Sequence, residues 1–110
     1  MHLPERAERI RIFIGENDKF DNKPLFEQLV LKAREMGLAG ATVLRGVLGY
    51  GANSRIHSSK ILRLSEDMPL VIEIVDTSDK INTFLQTIDP MLKEGLITRE
   101  PVQVIFYRHS

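Results

Sequence analysis

The chain has 110 residues, a length suited to one domain that buries roughly two-thirds of its unfolded surface, so a single domain over 1–110 is expected. With 43% hydrophobic and 27% charged residues, and no apolar run near the ~20 residues of a membrane span, the composition is that of a soluble globular protein with no membrane segment. Lys+Arg and Asp+Glu are balanced at 15 each, which removes any global attraction to nucleic acid or anionic membranes, and the lack of cysteine excludes disulfides, thiolate metal sites and thiol nucleophiles.

Residues 1–8 (MHLPERAE) lack the apolar centre of a secretory signal and are expected as a flexible tail, with a cytoplasmic location as the default. Arg9 to Ile14 alternates as RIRIFI, a strand with Ile10, Ile12 and Ile14 on its buried face. Gly15 to Lys23 reads as a long polar connection. Its Glu16, Asp18 and Asp21 either solvate the loop and cap a helix or hold a hard cation. Pro24 suits the first turn of a helix whose stripe is Phe26, Leu29, Val30 and Ala33, ended by Gly37.

Ala41 to Leu48 is expected as a second strand and Leu70 to Val75, rich in β-branched residues, as a third. Ser78 can cap a second helix with Asp79 near its positive end and the stripe Ile81, Phe84, Leu85 and Ile88. Val102 to Tyr107 (VQVIFY) is expected as the fourth strand. The resulting β-α-β-β-α-β order predicts an α+β, ferredoxin-like sandwich: a four-stranded antiparallel sheet with two helices on one face.

On this scheme the helix-free face carries Arg11, Arg45, Glu73 and Gln103 among Phe13, Val43, Val47, Val71, Val75, Ile105 and Tyr107. Adjacent strands one and three let Arg11 pair with Glu73, with Arg45 within reach. Arg11, Arg45 and Glu73 are therefore expected at an interface between copies; the alternative is that the arginine stems snorkel to water.

Between Glu35 and Glu66 no acidic residue occurs, while Arg45, Arg55, Lys60 and Arg63 are basic, so a neutral chain holds one cationic span. Within it, Gly49-Tyr50-Gly51-Ala52-Asn53-Ser54-Arg55 offers an anion backbone N–H groups, neutral hydrogen bonds and a guanidinium fork. Neither a Walker loop nor a dinucleotide fingerprint is present, and the glycines also suit a β-bulge. His57 beside Ser58, Ser59 and Lys60 has no sequence-adjacent carboxylate to orient it as a base, so no catalytic residue is expected. His2, His57 and His109 lack metal-ligand spacing, and no metal or cofactor is expected.

The runs GEND-K at Gly15 to Lys19, PLFE at Pro24 to Glu27, GLAGATVLRGVLGYGANSRIHSSKI at Gly37 to Ile61, LSEDMP at Leu64 to Pro69 and the following VIEIVD carry a resemblance. From Ile10 to about Phe106 the chain resembles the PII-like family of unknown function found in bacteria and archaea. More distantly it is similar to the classical PII signalling proteins.

That resemblance implies a homotrimer whose long loop after strand two projects from the body, with adenine nucleotides bound in clefts between subunits. The nucleotide would be an effector ligand, and the matching positions are Thr42, Gly49, Gly51, Asn53, Glu73, Val75, Gly95 and Arg108, with Arg55 joining them as a ligand residue on the strength of its guanidinium fork. Ala52, Ser54, Ile56, His57, Ser58, Ser59 and Lys60 would form the loop that engages a target protein of unknown identity, such as a membrane transporter. The family's second glycine-rich loop is reduced to Gly95, with Leu96 where a lysine would fall, and a C-terminal arginine is replaced by Phe106. Two cations fewer on the phosphate path favour AMP or ADP over a triphosphate, and Tyr50 at the loop base is no equivalent of the classical modified tyrosine.

The implied function is thus a non-enzymatic nucleotide-responsive regulator without nucleic-acid binding. Two further readings stand beside it: a structural or ion-tolerance trimer without nucleotide sensing, and an enzyme acting on phosphate esters through His57.

Overall fold

A computed structural model describes residues 6–50 and 67–109. The first strand, β1 (Arg6–Gly15), begins earlier than the RIRIFI alternation alone suggests. Arg6 to Glu8, expected in the tail, extend this strand because they pair with Gln103, Val102 and Pro101 across the sheet. Residues 1–5 of the expected tail lie outside the described residues.

The connection after β1 holds a small hairpin that the polar composition concealed, formed by β2 (Lys19–Phe20) and β3 (Lys23–Pro24). Asp21 and Asn22 adopt φ of 53° and 67°, the left-handed pair that a tight two-residue hairpin turn needs and that Asn and Asp tolerate. Helix α1 (Leu25–Glu35) follows at once, and its first N–H, from Leu25, is accepted by Asp18 O at 2.8 Å. At its other end Gly37 takes φ 76° while Leu38 N donates to Ala33 O at 3.0 Å, so the expected glycine stop is present.

Strand β4 (Ala41–Arg45) is shorter than expected and stops before Gly46. Strand β5 (Pro69–Asp76) and helix α2 (Ser78–Ile88) match the expected elements to within a residue or so. The cap of α2 is Thr77 rather than Ser78: Thr77 Oγ1 accepts from Lys80 N at 3.3 Å. Ser78 Oγ instead contacts the Arg99 guanidinium at 3.1 Å.

A 3-10 turn (Asp89–Met91) leads to β6 (Leu96–Gln103), which overlaps the expected fourth strand only at Val102 and Gln103. The VQVIFY run carries the stronger local β signal, but the ladder with β1 is made by LITREPVQ. Pro101 is tolerated there because β6 is an edge strand.

The sheet order is β4-β5-β1-β6, antiparallel throughout, which makes the fold α+β and ferredoxin-like. One face is closed by α1 and α2. There Ile10, Ile12, Ile14, Leu70, Ile72 and Ile74 meet Leu29, Ala33, Ile81, Phe84 and Ile88 in one buried cluster. Phe26, Val30 and Leu85 from the two expected stripes are only partly buried, and Leu25 joins the cluster in their place.

The register corrects part of the expected helix-free face. Val43 stands opposite Ile72, Arg45 opposite Leu70 and Gln103 opposite Arg6, so all three belong to the helix-covered side, and Thr42, Leu44 and Glu100 take the open face. ATVLR has apolar residues in both phases, so its facing is set by its partner strand rather than by its own pattern. Val47, Ile105 and Tyr107 lie outside the strands.

Candidate functional site

β1 and β4 finish at the end of the sheet where β5 and β6 start, with Gly15 opposite Pro69, Arg45 opposite Leu70 and Phe13 opposite Leu96. Both stems of the long 46–68 connection therefore rise beside the turn that follows β1. Gly46 N donates to Pro69 O at 2.7 Å, closing the incoming stem on the outgoing one. The outgoing stem is tied to the turn: Glu16 N donates to Met68 O and Asn17 N to Asp67 Oδ1, each at 2.8 Å. On the incoming side, the Arg45 guanidinium donates to Glu16 Oε1 at 3.0 Å.

Glycine at position 15 is required by packing, since a Cβ there would lie 2.5 Å from the Asp67 carboxylate. Gly49, at the loop base, faces the Pro69 ring, where a Cβ would come within 3.2 Å of Cγ. Residues Gly51, Ala52, Asn53, Ser54, Arg55, Ile56, His57, Ser58, Ser59 and Lys60, expected as ligand and partner loop, lie outside the described residues.

At the same end of the sheet, but on its other edge, Gly95 holds φ 132° and its missing Cβ leaves room for Phe13 O, which would otherwise be 2.7 Å away. A pocket of about 240 Å³ opens there between Ile12, Ile14 and the segment Leu92–Ile97, including Lys93 and Gly95. β4 and β6 are separated by three strand spacings, about 14 Å at ~4.8 Å each. Gly49, which follows β4, lies against Pro69 of β5, and Gly95, which precedes β6, lies against Phe13 of the neighbouring β1.

Thr42, Glu73 and Val75 form a separate group on the open face, with Thr42 opposite Glu73 and Val75 opposite Arg9. The expected Arg11–Glu73 pair is present, Arg11 Nε donating to Glu73 Oε2 at 2.7 Å. It belongs to a larger network: Arg11 Nη1 also reaches Glu100 Oε1 at 3.2 Å, and Arg9 Nε donates to the same oxygen at 3.0 Å. The Arg9 hydrogen bond, with Arg11 adding its field, holds the Glu100 carboxyl below its ordinary value. Glu73 in turn holds the Arg11 guanidinium more firmly protonated.

Arg45 takes no part in this network, for the register reason given above. Glu100 and Arg9 were not anticipated; with β6 in its observed register, simple alternation brings Glu100 to this face. Arg108 lies beyond the end of β6, its guanidinium 4.2 Å from the centre of the Phe106 ring. Among the described residues no group of three or more His, Cys, Asp or Glu is placed to hold a metal ion, and no helix is long and apolar enough to cross a membrane.

Similar solved structures share this architecture at low sequence identity. The PII-like protein CPII of Thiomonas intermedia K12, solved with ADP and bicarbonate, superposes with a TM-score of 0.66 at 16% identity, covering 90% of this chain and 88% of that one. A putative PII-like signalling protein of Thermus thermophilus gives 0.62 at 16% identity, covering 91% and 90%.

Sequence relatives are closer. A UPF0166 protein of Aquifex aeolicus is 42% identical over 97 residues, 88% of this chain and 91% of the relative. A UPF0166 protein of Methanocaldococcus jannaschii is 33% identical over 93 residues, 84% and 85% of the two chains. The model of the family DUF190, described as "Uncharacterized ACR, COG1993", matches residues 7–104. Spanning nearly the whole domain, that match and these relatives make the chain a member of the DUF190 family, built on the PII-like fold.

Proposed function

We propose that this protein is a non-enzymatic, cytoplasmic regulator that binds an adenine nucleotide, AMP or ADP in preference to ATP, in clefts between the copies of a homotrimer. The observation that carries this reading is the fold shared with CPII, together with the two glycine-bearing turns, at Gly49 and Gly95, that stand at one end of the sheet. Structures of CPII, similar in fold, hold ADP, AMP and bicarbonate, which supports the ligand class.

The open face supports the assembly. Arg9, Arg11, Glu73 and Glu100 satisfy one another within the chain, so the face is electrically neutral and can be covered without stranding a charge. Phe13, Val71 and Val75 surround the network with apolar surface. Ligand phosphates at the loop base would change the surface that this end of the protein offers to a target protein.

Native mass spectrometry of the intact chain with AMP, ADP and ATP tests the proposal. The expected result is a trimer that retains AMP or ADP more tightly than ATP. A monomer, or a trimer that takes up no adenine nucleotide at millimolar concentration, overturns it.

A further inference from the structure

The pocket beside Gly95 and the end of the chain are complementary in shape and charge. Ile12, Ile14, Leu96 and Ile97 wall the pocket with apolar surface, and the exposed Lys93 and Glu94 also line it. Leu96 is 58% exposed, so apolar surface is left open to water at this site. At about 240 Å³ the space exceeds the ~150 Å³ of an apolar cavity that takes up a benzene ring. Phe106 supplies such a ring: it is 66% exposed, with the Arg108 guanidinium 4.2 Å from its centre. Among the described residues neither Arg108 nor Glu94 makes an ion pair.

Ring and slot do not meet within one chain. β6 carries the chain from Leu96 to Gln103, about 23 Å at ~3.3 Å per residue. The three further residues to Phe106 can return at most about 10 Å of that distance.

We propose that Phe106 of one copy fills the Gly95 slot of a neighbouring copy, with Arg108 paired to Glu94 at its mouth. The inference deepens the homotrimer reading above, from which it takes only the presence of a second copy. Apolar walls give water few hydrogen-bond partners, so a ring that displaces water there gains burial on both surfaces. Arg108, stacked on the ring, travels with it and needs an anion as it loses solvent; Glu94 supplies a carboxylate that a guanidinium fork can engage with two donors. Lys93 can keep its ammonium in water on its flexible stem. The Gly95 segment of the proposed nucleotide cleft is then incomplete in a lone chain, because the neighbour contributes one of its walls.

Sedimentation velocity of the full-length wild type, F106A, E94R, R108E and E94R/R108E reads this contact. F106A is expected to raise the concentration of half-dissociation about thirtyfold, as for a buried aromatic anchor. E94R and R108E should each raise it about tenfold by facing like charges. E94R/R108E should return to within about threefold of wild type, since the reversed pair is again complementary. The chain has no cysteine, so E94C/R108C offers a second reading: a short bis-maleimide should link copies of the double variant and of neither single variant.

An assembly unchanged in F106A, additive losses in E94R/R108E, or no cross-link in E94C/R108C overturns the plug while the homotrimer reading stands. A wild-type dimer that F106A dissociates keeps the plug and removes the trimer. A wild type that stays monomeric at every concentration overturns both. Thermal unfolding of each variant in dilute solution, expected within a few degrees of wild type for exposed residues, separates loss of contact from loss of fold.

Discussion

The two faces of the sheet are built from the same strands by opposite rules. Along β5, Leu70, Ile72, Ile74 and Asp76 point to the helices and are buried, while Val71, Glu73 and Val75 on the alternate positions remain half-exposed. The covered face is aliphatic, and its one buried polar side chain among the described residues, Asp76, is 1% exposed. Both Asp76 oxygens are used, Oδ2 by Ala39 N at 2.8 Å and Oδ1 by Thr77 N at 2.7 Å. The open face instead mixes apolar residues with a four-membered ion network. One face therefore buries the core, and the other keeps half-exposed apolar residues around mutually satisfied charges.

The largest effect that can break this contrast is at Phe84, which is fully buried against the covered face. Phe84→Ala is expected to cost about 3–5 kcal/mol in urea denaturation. Val75→Ala on the open face should cost under about 1 kcal/mol in dilute solution, where the residue is only half-covered. Equal losses would show that the open face is core. A Val75→Ala penalty that grows with protein concentration would show instead that a second copy covers it.

A smaller loss is expected at Asp76. Asp76→Ala leaves the partly buried Ala39 and Thr77 amides without their acceptor, at a cost of about 1–3 kcal/mol. Asp76→Asn should recover only part of it, because the amide offers one acceptor where two donors converge. Hydrogen exchange at the Ala39 and Thr77 amides checks the cause: faster exchange at both in the alanine variant ties the loss to these bonds. Unchanged protection would break the assignment of Asp76 as the joint between the two connections.

What could be read from the sequence follows the same division between local and non-local causes. Alternation in RIRIFI and LVIEIV and the stripes of α1 and α2 are local patterns, and they led to the right elements and most of the core. The Arg11–Glu73 pair was also legible, because it needs only adjacent strands and matching phase. The fourth strand was not: Thr98-Arg99-Glu100-Pro101 has little β signal of its own and becomes a strand by pairing with β1. Arg45 was misassigned because ATVLR has no dominant phase, and its real partner, Glu16, lies in a turn that sequence spacing does not bring near. Asp76 was visible in principle, being in phase with Leu70, Ile72 and Ile74, but a carboxylate at the end of a strand gives no sign that a loop amide waits for it. For the candidate site, the glycines were legible as positions. That Gly95 must lack a Cβ to clear Phe13 O, and that Gly49 packs on the Pro69 ring, are tertiary facts.

The smallest expected effect is the most discriminating, because each face carries one glutamate held below its ordinary value by an arginine. Glu8, on the covered side, is held below its ordinary value of 4.5 first by the Arg99 hydrogen bond and then by Ser78. Glu100, on the open face, is held below the same value first by its Arg9 hydrogen bond. For both, the folded state releases its proton more readily than the unfolded chain. The unfolded chain thus binds more protons just below 4.5, and stability rises with pH there. The contribution is complete above the unfolded value and is lost as pH falls through the lower folded one. Urea midpoints measured from about pH 2 to pH 6 should therefore show an acid limb that becomes shallower in Glu8→Gln and in Glu100→Gln. At low protein concentration the two flattenings should be similarly small, as expected of solvent-accessible pairs. If copies meet across the open face, raising the concentration should enlarge the Glu100→Gln effect and leave that of Glu8→Gln unchanged, since only the Glu100 network would then lose its water. Equal behaviour of the two variants at every concentration would leave the open face solvated and would withdraw the ion network from any role in assembly.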